Sequence, residues 1–443
     1  MHEFVWRPAS PIIDGQTMKK LFDYLRSNYL EVAGLTIGTF VVLHLISSVN
    51  QADLQVFIRA GRCVVEGQSP YPKLGTTSVY AGNSFVYPYL VAVAFAPLSL
   101  LGTYWGPFVF EIISLAALFY AIYTFSLSLR SRVSDTVVMK ISIFAVVLLA
   151  SPTLISLQMG TLTPLILAGL ALMWKHRDSA TISSLLVVVL TFTKVYLVVL
   201  GLFFILCRRF AAVVGTLLFG FVGLVLNFST SPLGPIGYFH LLSQLARHES
   251  RQGFSFINAL HSVYVSKVGA YVILALGMAT ILALWWRSSS LAERVDLAFI
   301  ISIASTLTAT PILWSSYLPV LFIPLLLLVD NFAIMAALSY AASVMVTPDR
   351  AGTLLIALQF LAITLIVLPC YISKIMSTTR DRLLVGIDIS KVMFVGFLSI
   401  GFVVELLSPA LGVQLLMVGV SAALMIRRRT TSFGSQEVTG DVR

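Results

Sequence analysis

The sequence predicts an all-α, polytopic membrane protein, and three observations support this prediction. Of the 443 residues, 58% are hydrophobic and only 11% are charged, and the mean hydropathy is +0.94. An average soluble domain carries about 25% charged residues, so this chain lacks the side chains for a water-exposed surface. Apolar runs recur along the chain with short basic clusters between them. These observations exclude soluble globular, disordered and nucleic-acid-binding proteins.

The basic clusters also predict the topology, because short cytoplasmic loops of membrane proteins are rich in Lys and Arg. The net charge is +10, and residues 1–29 contain Lys19, Lys20 and Arg26 before the first apolar run. We therefore expect both termini in the cytoplasm, and hence an even number of spans, about 12 for a chain of this length and hydropathy. The expected layout is one membrane domain over residues 1–443, with outer loops at 50–84 and 229–268 and a cytoplasmic tail at 427–443.

One region does not fit this alternation of sides. Between residues 85 and 174, counting each apolar run as a crossing leaves Arg130 and Arg132 on the outer side. A broken or re-entrant segment around Pro152–Pro164 would correct the count, since irregular backbone is tolerated inside a membrane protein where other segments surround it. The runs 179–192 and 195–207 are short for full spans. They are interpreted as a tight helical pair with Lys194 at its tip.

The first outer loop contains the most distinctive local pattern. From Ala52 to Arg62 the helical period places Asp53 and Phe57 on one face, and Arg59 and Arg62 on another. This pattern predicts an amphipathic helix at the membrane surface with a carboxylate at its start. Asp53 is then either a helix cap, as Asp commonly is, or a functional group.

Further polar residues are candidates for a site, each with a structural alternative. Lys194 lies between two apolar runs, where a lysine either extends to the interface or binds an anion. Asn258 and His261 are three apart and could line a polar site or cap a helix. The spacing of His240, His248 and His261 matches no standard zinc motif, so no metal site is predicted. Trp314 and Tyr317 fit a polar site or an interfacial aromatic belt.

Several blocks of the sequence, taken in order, resemble glycosyltransferase family 87. These are the GT-C fold membrane mannosyltransferases of actinobacterial cell envelopes. The blocks are Asp53–Phe57 with Gly67–Tyr71, Phe85–Pro88, Gln158–Thr161, Thr193–Lys194, Ser255–Leu260 and Thr310–Tyr317. Two departures are present: the Gly-Gln pair of the family is not intact near Gln158, and Ser315 and Ser316 stand where the family tends to have a histidine.

The resemblance implies a fold, a reaction and roles for individual residues. Such enzymes transfer a sugar, with inversion, from a polyprenyl-phosphate carrier to a lipid-linked glycan on the outer side of the plasma membrane. Asp53 would then be the catalytic base, with Lys194 and, more weakly, Arg59 as partners of the phosphate. The residues that would bind sugar or prenyl chain are Tyr87, Gln158, Asn258, His261, Trp314 and Tyr317.

The identity of the substrates stays open at this point. The expected donor carries mannose, with an arabinofuranosyl donor as the alternative, and the expected acceptor is a phosphatidylinositol mannoside or lipoglycan. Membrane lipid is expected to surround the protein, and no cofactor, metal or nucleic acid is expected. A flippase or transporter of lipid-linked sugars is the rival function, since it would share the apolar composition and the basic clusters.

Overall fold

The computed structural model describes residues 51–80, 84–127, 147–249, 295–310 and 312–328, with pieces of one to three residues elsewhere. Within these residues the chain is helical and contains no strand, which confirms the all-α prediction. The α-helices are α1 (Ala52–Val65), α2 (Tyr89–Leu100), α3 (Gly102–Leu127), α4 (Ser151–Met159), α5 (Thr163–Lys175), α6 (Ala180–Thr193), α7 (Leu202–Leu206), α8 (Phe210–Thr230), α9 (Pro235–Glu249), α10 (Val295–Ala309) and α11 (Phe322–Leu328). The 3₁₀ helices are Thr77–Tyr80, Val195–Gly201 and Ser315–Leu321.

In the described part of the chain, two helices are long and apolar enough to cross a membrane. They are Gly102–Phe125 within α3 and Phe210–Thr230, which is α8. At 1.5 Å per residue each is about 30 Å long or more, which matches the hydrocarbon thickness of a bilayer. These helices support the prediction of a membrane protein. The expected total of about 12 spans stays a prediction, because many of its residues lie outside the described ranges.

Helix α2 is too short to cross the membrane alone. It has 12 residues, or about 18 Å of helix. It packs on α1 so closely that a Cβ at Gly61 would lie 2.6 Å from the carbonyl carbon of Phe95. The chain then reverses at Gly102, whose φ is 82°, and a Cβ at Gly106 would lie 2.6 Å from the carbonyl oxygen of Leu98. The apolar run after residue 85 is therefore a short hairpin arm followed by the longer α3.

The predicted broken segment around Pro152–Pro164 is confirmed. The axes of Pro152–Met159 and Thr163–Lys175 differ by 116°. Gly160 makes the turn with a φ of 64°, and a Cβ there would lie 2.5 Å from the Cβ of Leu54 in α1. Inside the bend, the hydroxyls of Ser156 and Thr161 are buried and lie 2.5 Å apart. The bend is thus packed directly against the first outer helix.

The predicted helical pair with Lys194 at its tip is also confirmed. Helix α6 ends at Thr193, and the chain returns through the Val195–Gly201 3₁₀ helix and α7. The far ends of the two arms meet, because a guanidinium nitrogen of Arg209 lies 2.7 Å from a carboxylate oxygen of Asp178. Lys194 therefore lies at the opposite end of this hairpin from the ion pair.

The two segments predicted to be outer loops pack against each other. The Gln244 amide in α9 donates to the carbonyl of Thr76 at 3.2 Å and accepts from the N–H of Gly75 at 3.1 Å. The hydroxyl of Tyr238 donates to the carbonyl of Val86 at 3.2 Å. Around these bonds, Val79, Tyr238 and Leu241 form a small buried cluster separate from the main core. These contacts fix the Thr77–Tyr80 segment and the start of α2 against α9.

Candidate functional site

The amphipathic helix expected in the first outer loop is present as α1. Its buried face includes Leu54, Phe57 and Ala60, while Arg59 and Arg62 are exposed. The helix begins at Ala52, and its N-cap residue is Gln51. Asp53 therefore lies in the first turn and is not the cap. A carboxylate at this place interacts favourably with the partial positive charge of the helix N-terminus.

Asp53 lies in an environment of low polarity next to a cation. Desolvation by burial raises the pKa of its carboxyl above the ordinary value of 3.8, and the positive charge of Lys194 acts in the opposite direction. A carboxylate with a raised pKa is a stronger proton acceptor than an ordinary aspartate. Asp53 and Lys194 are therefore within electrostatic range of each other, although they are far apart in the sequence.

Lys194 is buried among protein side chains and is not extended to the surface. Its side chain is only 6% exposed. It follows the last turn of α6 in an extended conformation, with φ −151° and ψ 115°, before the 3₁₀ helix begins. Its ammonium nitrogen lies 3.4 Å from the ring centroid of Tyr317 and 5.5 Å from that of Tyr87. Such cation–π contacts stabilise a buried ammonium without neutralising its charge.

Further aromatic side chains extend the walls around this cation. The ring of Phe57 lies 4.8 Å from that of Tyr87, which joins the buried face of α1 to the Lys194 site. On the other side, the ring of Tyr196 lies 5.8 Å from that of Tyr317. The carbonyl of Tyr87 accepts a hydrogen bond of 3.1 Å from the Tyr71 hydroxyl. Since burial raises the pKa of Tyr71 to about 12, this hydroxyl remains a neutral donor near pH 7.

Gln158 lies where the broken segment meets the first outer helix. Its carbonyl accepts a hydrogen bond of 3.0 Å from the N–H of Gln51, immediately before α1. Gln158 is half-buried and sits two residues before the bend at Gly160. Its main chain therefore helps to fix the start of the helix that carries Asp53.

The structure brings together only part of the expected set. Trp314 is half-buried, and its carbonyl accepts the N–H of Tyr317 at 3.0 Å, so it supports the turn that carries this tyrosine. Arg59 is exposed and, six residues after Asp53, lies on another face of α1. Asn258 and His261 lie outside the described residues. Their roles stay predictions.

Sequence reasoning did not select two aromatic residues that contribute to this region. Tyr196 follows Lys194 by two positions, and its ring lies on Tyr317. Tyr71 was noticed only as part of the first-loop block, and it donates to the backbone that precedes α2. Both would look like ordinary interfacial tyrosines in the sequence, because the aromatic residues they contact are distant along the chain or buried. No local pattern could have selected them.

The histidines between residues 240 and 261 are the candidate metal ligands of the sequence. His248 stacks on Tyr80 with ring centroids 4.1 Å apart, and His240 is exposed. Over the described ranges, no three His, Cys, Asp or Glu side chains are grouped as metal ligands. The expectation of a metal-independent protein stays a prediction, since His261 lies outside those ranges.

Two described helices are long and apolar enough to cross a membrane, and a carboxylate and a buried lysine interact electrostatically. These features define a membrane protein with a candidate site for an anionic substrate. The comparison with protein families identifies it further. Residues 85–313, slightly more than half of the chain, match Glycosyltransferase family 87, and the chain belongs to this family. It is thus a membrane glycosyltransferase, as the resemblance indicated. No curated protein matches the chain.

The range that matches the family includes only some residues of the candidate site. Tyr87, Gln158 and Lys194 lie within residues 85–313. Asp53, Trp314 and Tyr317 lie outside it, and so does the first-loop block on which the resemblance mainly rested. Asp53 is connected to the matched part by geometry, through its interaction with Lys194.

Proposed function

We propose that this protein is an inverting GT-C glycosyltransferase of the plasma membrane. It moves a sugar, mannose in this proposal, from a polyprenyl-phosphate carrier to a lipid-linked glycan such as a phosphatidylinositol mannoside or lipoglycan. The observation that carries the proposal is the pairing of Asp53 with a buried Lys194 that is flanked by the rings of Tyr87 and Tyr317. This combination supplies a base and an anion partner in one region.

Asp53 supplies the proton acceptor. As the acceptor hydroxyl attacks the anomeric carbon of the sugar, its proton passes to the Asp53 carboxylate, and the new carbon–oxygen bond forms with inversion. Burial favours this role, because it raises the pKa of the carboxyl and so increases its basicity. The position of Asp53 at the start of a surface helix in the first outer loop makes it reachable by a glycan at the membrane surface.

Lys194 supplies the charge that stabilises the leaving group. The bond between the anomeric carbon and the phosphate oxygen breaks, and its electron pair remains on polyprenyl phosphate. A buried ammonium group stabilises that developing charge strongly, because little water screens it. Tyr87 and Tyr317 hold the ammonium from its sides through their ring faces. Three further residues are assigned to substrate binding only from their positions in the family blocks: Gln158, Asn258 and Trp314. His261 and Arg59 are assigned to it because they lie close to these blocks in the sequence.

The proposed orientation places this site on the outer side and both termini in the cytoplasm. The length of α2 supports it, since a 12-residue hairpin arm adds no crossing. With α3 as the crossing after the first outer loop, and the bent α4–α5 pair as a re-entrant segment that adds no crossing, Arg130 and Arg132 move to the cytoplasmic side with the other basic clusters, and α8 returns the chain to the outer side before the second outer loop. The difficulty in the count of crossings then disappears.

The test is sugar transfer by the purified chain in nanodiscs, with polyprenyl-phosphate mannose and a membrane lipid extract. We expect a mannosylated lipid from the wild type, identifiable by mass spectrometry. Asp53→Asn removes the base while keeping the shape, and should lower turnover about 1,000-fold, within the range for loss of a general base. Elution as a monodisperse peak in size exclusion controls for folding. Full activity of Asp53→Asn would contradict its role as the base.

The same experiment separates the alternatives. Transfer from polyprenyl-phosphate arabinose, and not from the mannose donor, would replace the proposed sugar. No covalent product with either donor, together with movement of a labelled donor across vesicles, would identify a transporter. Right-side-out vesicles with a membrane-impermeant acceptor test the orientation, because product forms there only if the site faces outward.

A further inference from the structure

A second carboxyl group lies close to the start of α1, on a helix that otherwise consists of apolar residues. Glu111 belongs to α3, within the membrane-crossing stretch Gly102–Phe125. Ionisable side chains inside such stretches are rare, and they usually have a functional or pairing role. The Glu111 carboxyl lies within hydrogen-bonding reach of the Gln51 side chain. Its Oε1 atom is buried and has no hydrogen-bond partner among the described residues.

Gln51 connects the start of α1 to α4 and to α3. Its main-chain N–H donates to Gln158 at the end of α4, with a distance of 3.0 Å. Its carbonyl accepts from the N–H of Gln55 at 2.9 Å, the first intrahelical bond of α1. Its side chain contacts Glu111 of α3. The backbone of Gln51 is left-handed, with a φ of 37°. Residues other than glycine rarely adopt this conformation without support from the surrounding structure.

The position of Asp53 depends on this junction. The N–H groups of the first helical turn have no intrahelical acceptors, so the first turn of α1 is weakly held by the helix itself. Asp53 is two residues after Gln51 and belongs to that turn. A carboxylate acting as base must be placed within a fraction of an ångström, and small displacements have large effects on rate.

We propose that Glu111 is a positioning residue for Asp53, acting through the side-chain amide of Gln51. The hydrogen bond anchors the unusual backbone of Gln51 to the rigid helix α3, and this fixes the first turn of α1. The inference rests on the proposed function because it takes Asp53 to be the catalytic base. It adds Glu111 to the residues on which sugar transfer depends, besides the base Asp53 and the phosphate partner Lys194.

The test compares four variants with the wild type. Glu111→Ala removes the acceptor, whereas Glu111→Gln keeps a carbonyl oxygen that can accept from Gln51. Gln51→Ala removes the donor, and Gln51→Ala with Glu111→Ala removes both. Ser114→Ala is the matched control, because Ser114 is also on α3, is 1% exposed and has a buried hydroxyl without a partner among the described residues.

We expect Glu111→Ala to lower kcat about tenfold or more, with little change in KM, because a displaced base affects the chemical step. Glu111→Gln should remain within about threefold of the wild type, since its amide oxygen replaces the hydrogen bond. Gln51→Ala should reproduce the loss, and the double variant should be no worse than either single variant. The proposal would be overturned if Glu111→Gln lost as much activity as Glu111→Ala. It would also be overturned if the losses of the two single variants multiplied in the double variant.

Hydrogen exchange measured by mass spectrometry provides a readout that requires no substrate. Peptides covering residues 51–57 should exchange faster in Glu111→Ala than in the wild type, Glu111→Gln or Ser114→Ala, because the amides of Gln51 and Gln55 lose their anchor. Equal exchange in all of them would overturn the positioning role. If the wild type transfers no sugar, the proposed function fails, and the exchange measurement still decides whether Glu111 holds this turn.

Discussion

The two ends of the α6–α7 hairpin each carry a cation, and their environments differ. At one end Arg209 lies 2.7 Å from Asp178, and the two side chains are 26% and 75% exposed. At the other end Lys194 is 6% exposed and lies against two tyrosine rings. Among the described residues, Lys194 forms no ion pair of this direct kind. Asp53 influences it through the electrostatic field and not by a close contact.

This difference in environment suits the two cations to different roles: Arg209 to a structural ion pair, and Lys194 to binding an anionic substrate. An exposed ion pair is screened by water and contributes about 0–1 kcal/mol. Aromatic rings beside a buried ammonium attract it but, unlike a carboxylate, do not occupy it with an opposite charge. Lys194 can therefore attract an anionic phosphate, whereas Arg209 is already paired with a carboxylate. Each prediction below tests a part of this comparison.

The largest difference is expected between Lys194→Ala and Arg209→Ala. Removing Lys194 deletes the cation opposite the leaving phosphate and should lower kcat/KM for the donor about 100-fold. Removing Arg209 breaks an exposed pair and should leave kcat/KM within about threefold of the wild type. Transfer kinetics at varied donor concentration measure both. Similar losses in the two variants would mean that the hairpin ends do not differ in function.

A smaller effect is expected from the ring that holds the lysine. Tyr317→Phe keeps the aromatic face 3.4 Å from the Lys194 ammonium, so donor kinetics should be nearly unchanged. Tyr317→Ala removes a contact of about 1–2 kcal/mol, which corresponds to about a tenfold loss in kcat/KM. If Tyr317→Phe were as impaired as Tyr317→Ala, the hydroxyl and not the ring face would be the important group.

The smallest expected effect is on pH dependence. Asp53 must be deprotonated to act as a base, so activity should fall as the pH decreases through its pKa. Because burial raises that pKa, the acid limb of the kcat/KM profile should lie above the ordinary value of 3.8. Lys194 acts to lower this pKa, so Lys194→Ala should move the limb to higher pH, while Lys194→Arg, which keeps the charge, should not. An acid limb that stays in place in Lys194→Ala would indicate that the two groups do not interact.

Local patterns predicted the single elements of this region correctly. The period of apolar residues predicted α1 with its buried Phe57 and exposed Arg59. The lysine between two short apolar runs predicted the tip of the α6–α7 hairpin. Each of these two signals is contained within about 10–30 consecutive residues. The broken segment around Pro152–Pro164 was predicted differently, from the failed alternation of basic clusters between residues 85 and 174.

Local patterns did not predict the length of α2 or the contacts between residues distant in the sequence. The sequence after Phe85 looks like an ordinary span, but Gly102 ends α2 after 12 residues and turns the chain back. Glu111 looks like a charge near the end of a span, and its contact with Gln51 depends on how α1 packs against α2 and α3. Arg59, expected to be a weaker partner of the phosphate, is exposed on another face of the helix from Asp53, and its role stays a prediction. Such outcomes depend on tertiary packing, which the periodicity of one segment does not specify.

The sequence by itself determined the class of this protein and its family. Apolar composition and basic clusters require a membrane protein, and the order of short blocks indicates a family 87 glycosyltransferase, as the match over residues 85–313 confirms. Only the tertiary structure decided that Lys194 is buried between Tyr87 and Tyr317 and interacts with Asp53. The reason is that burial and electrostatic interaction depend on distances in space, and these residues come from four separate segments of the chain.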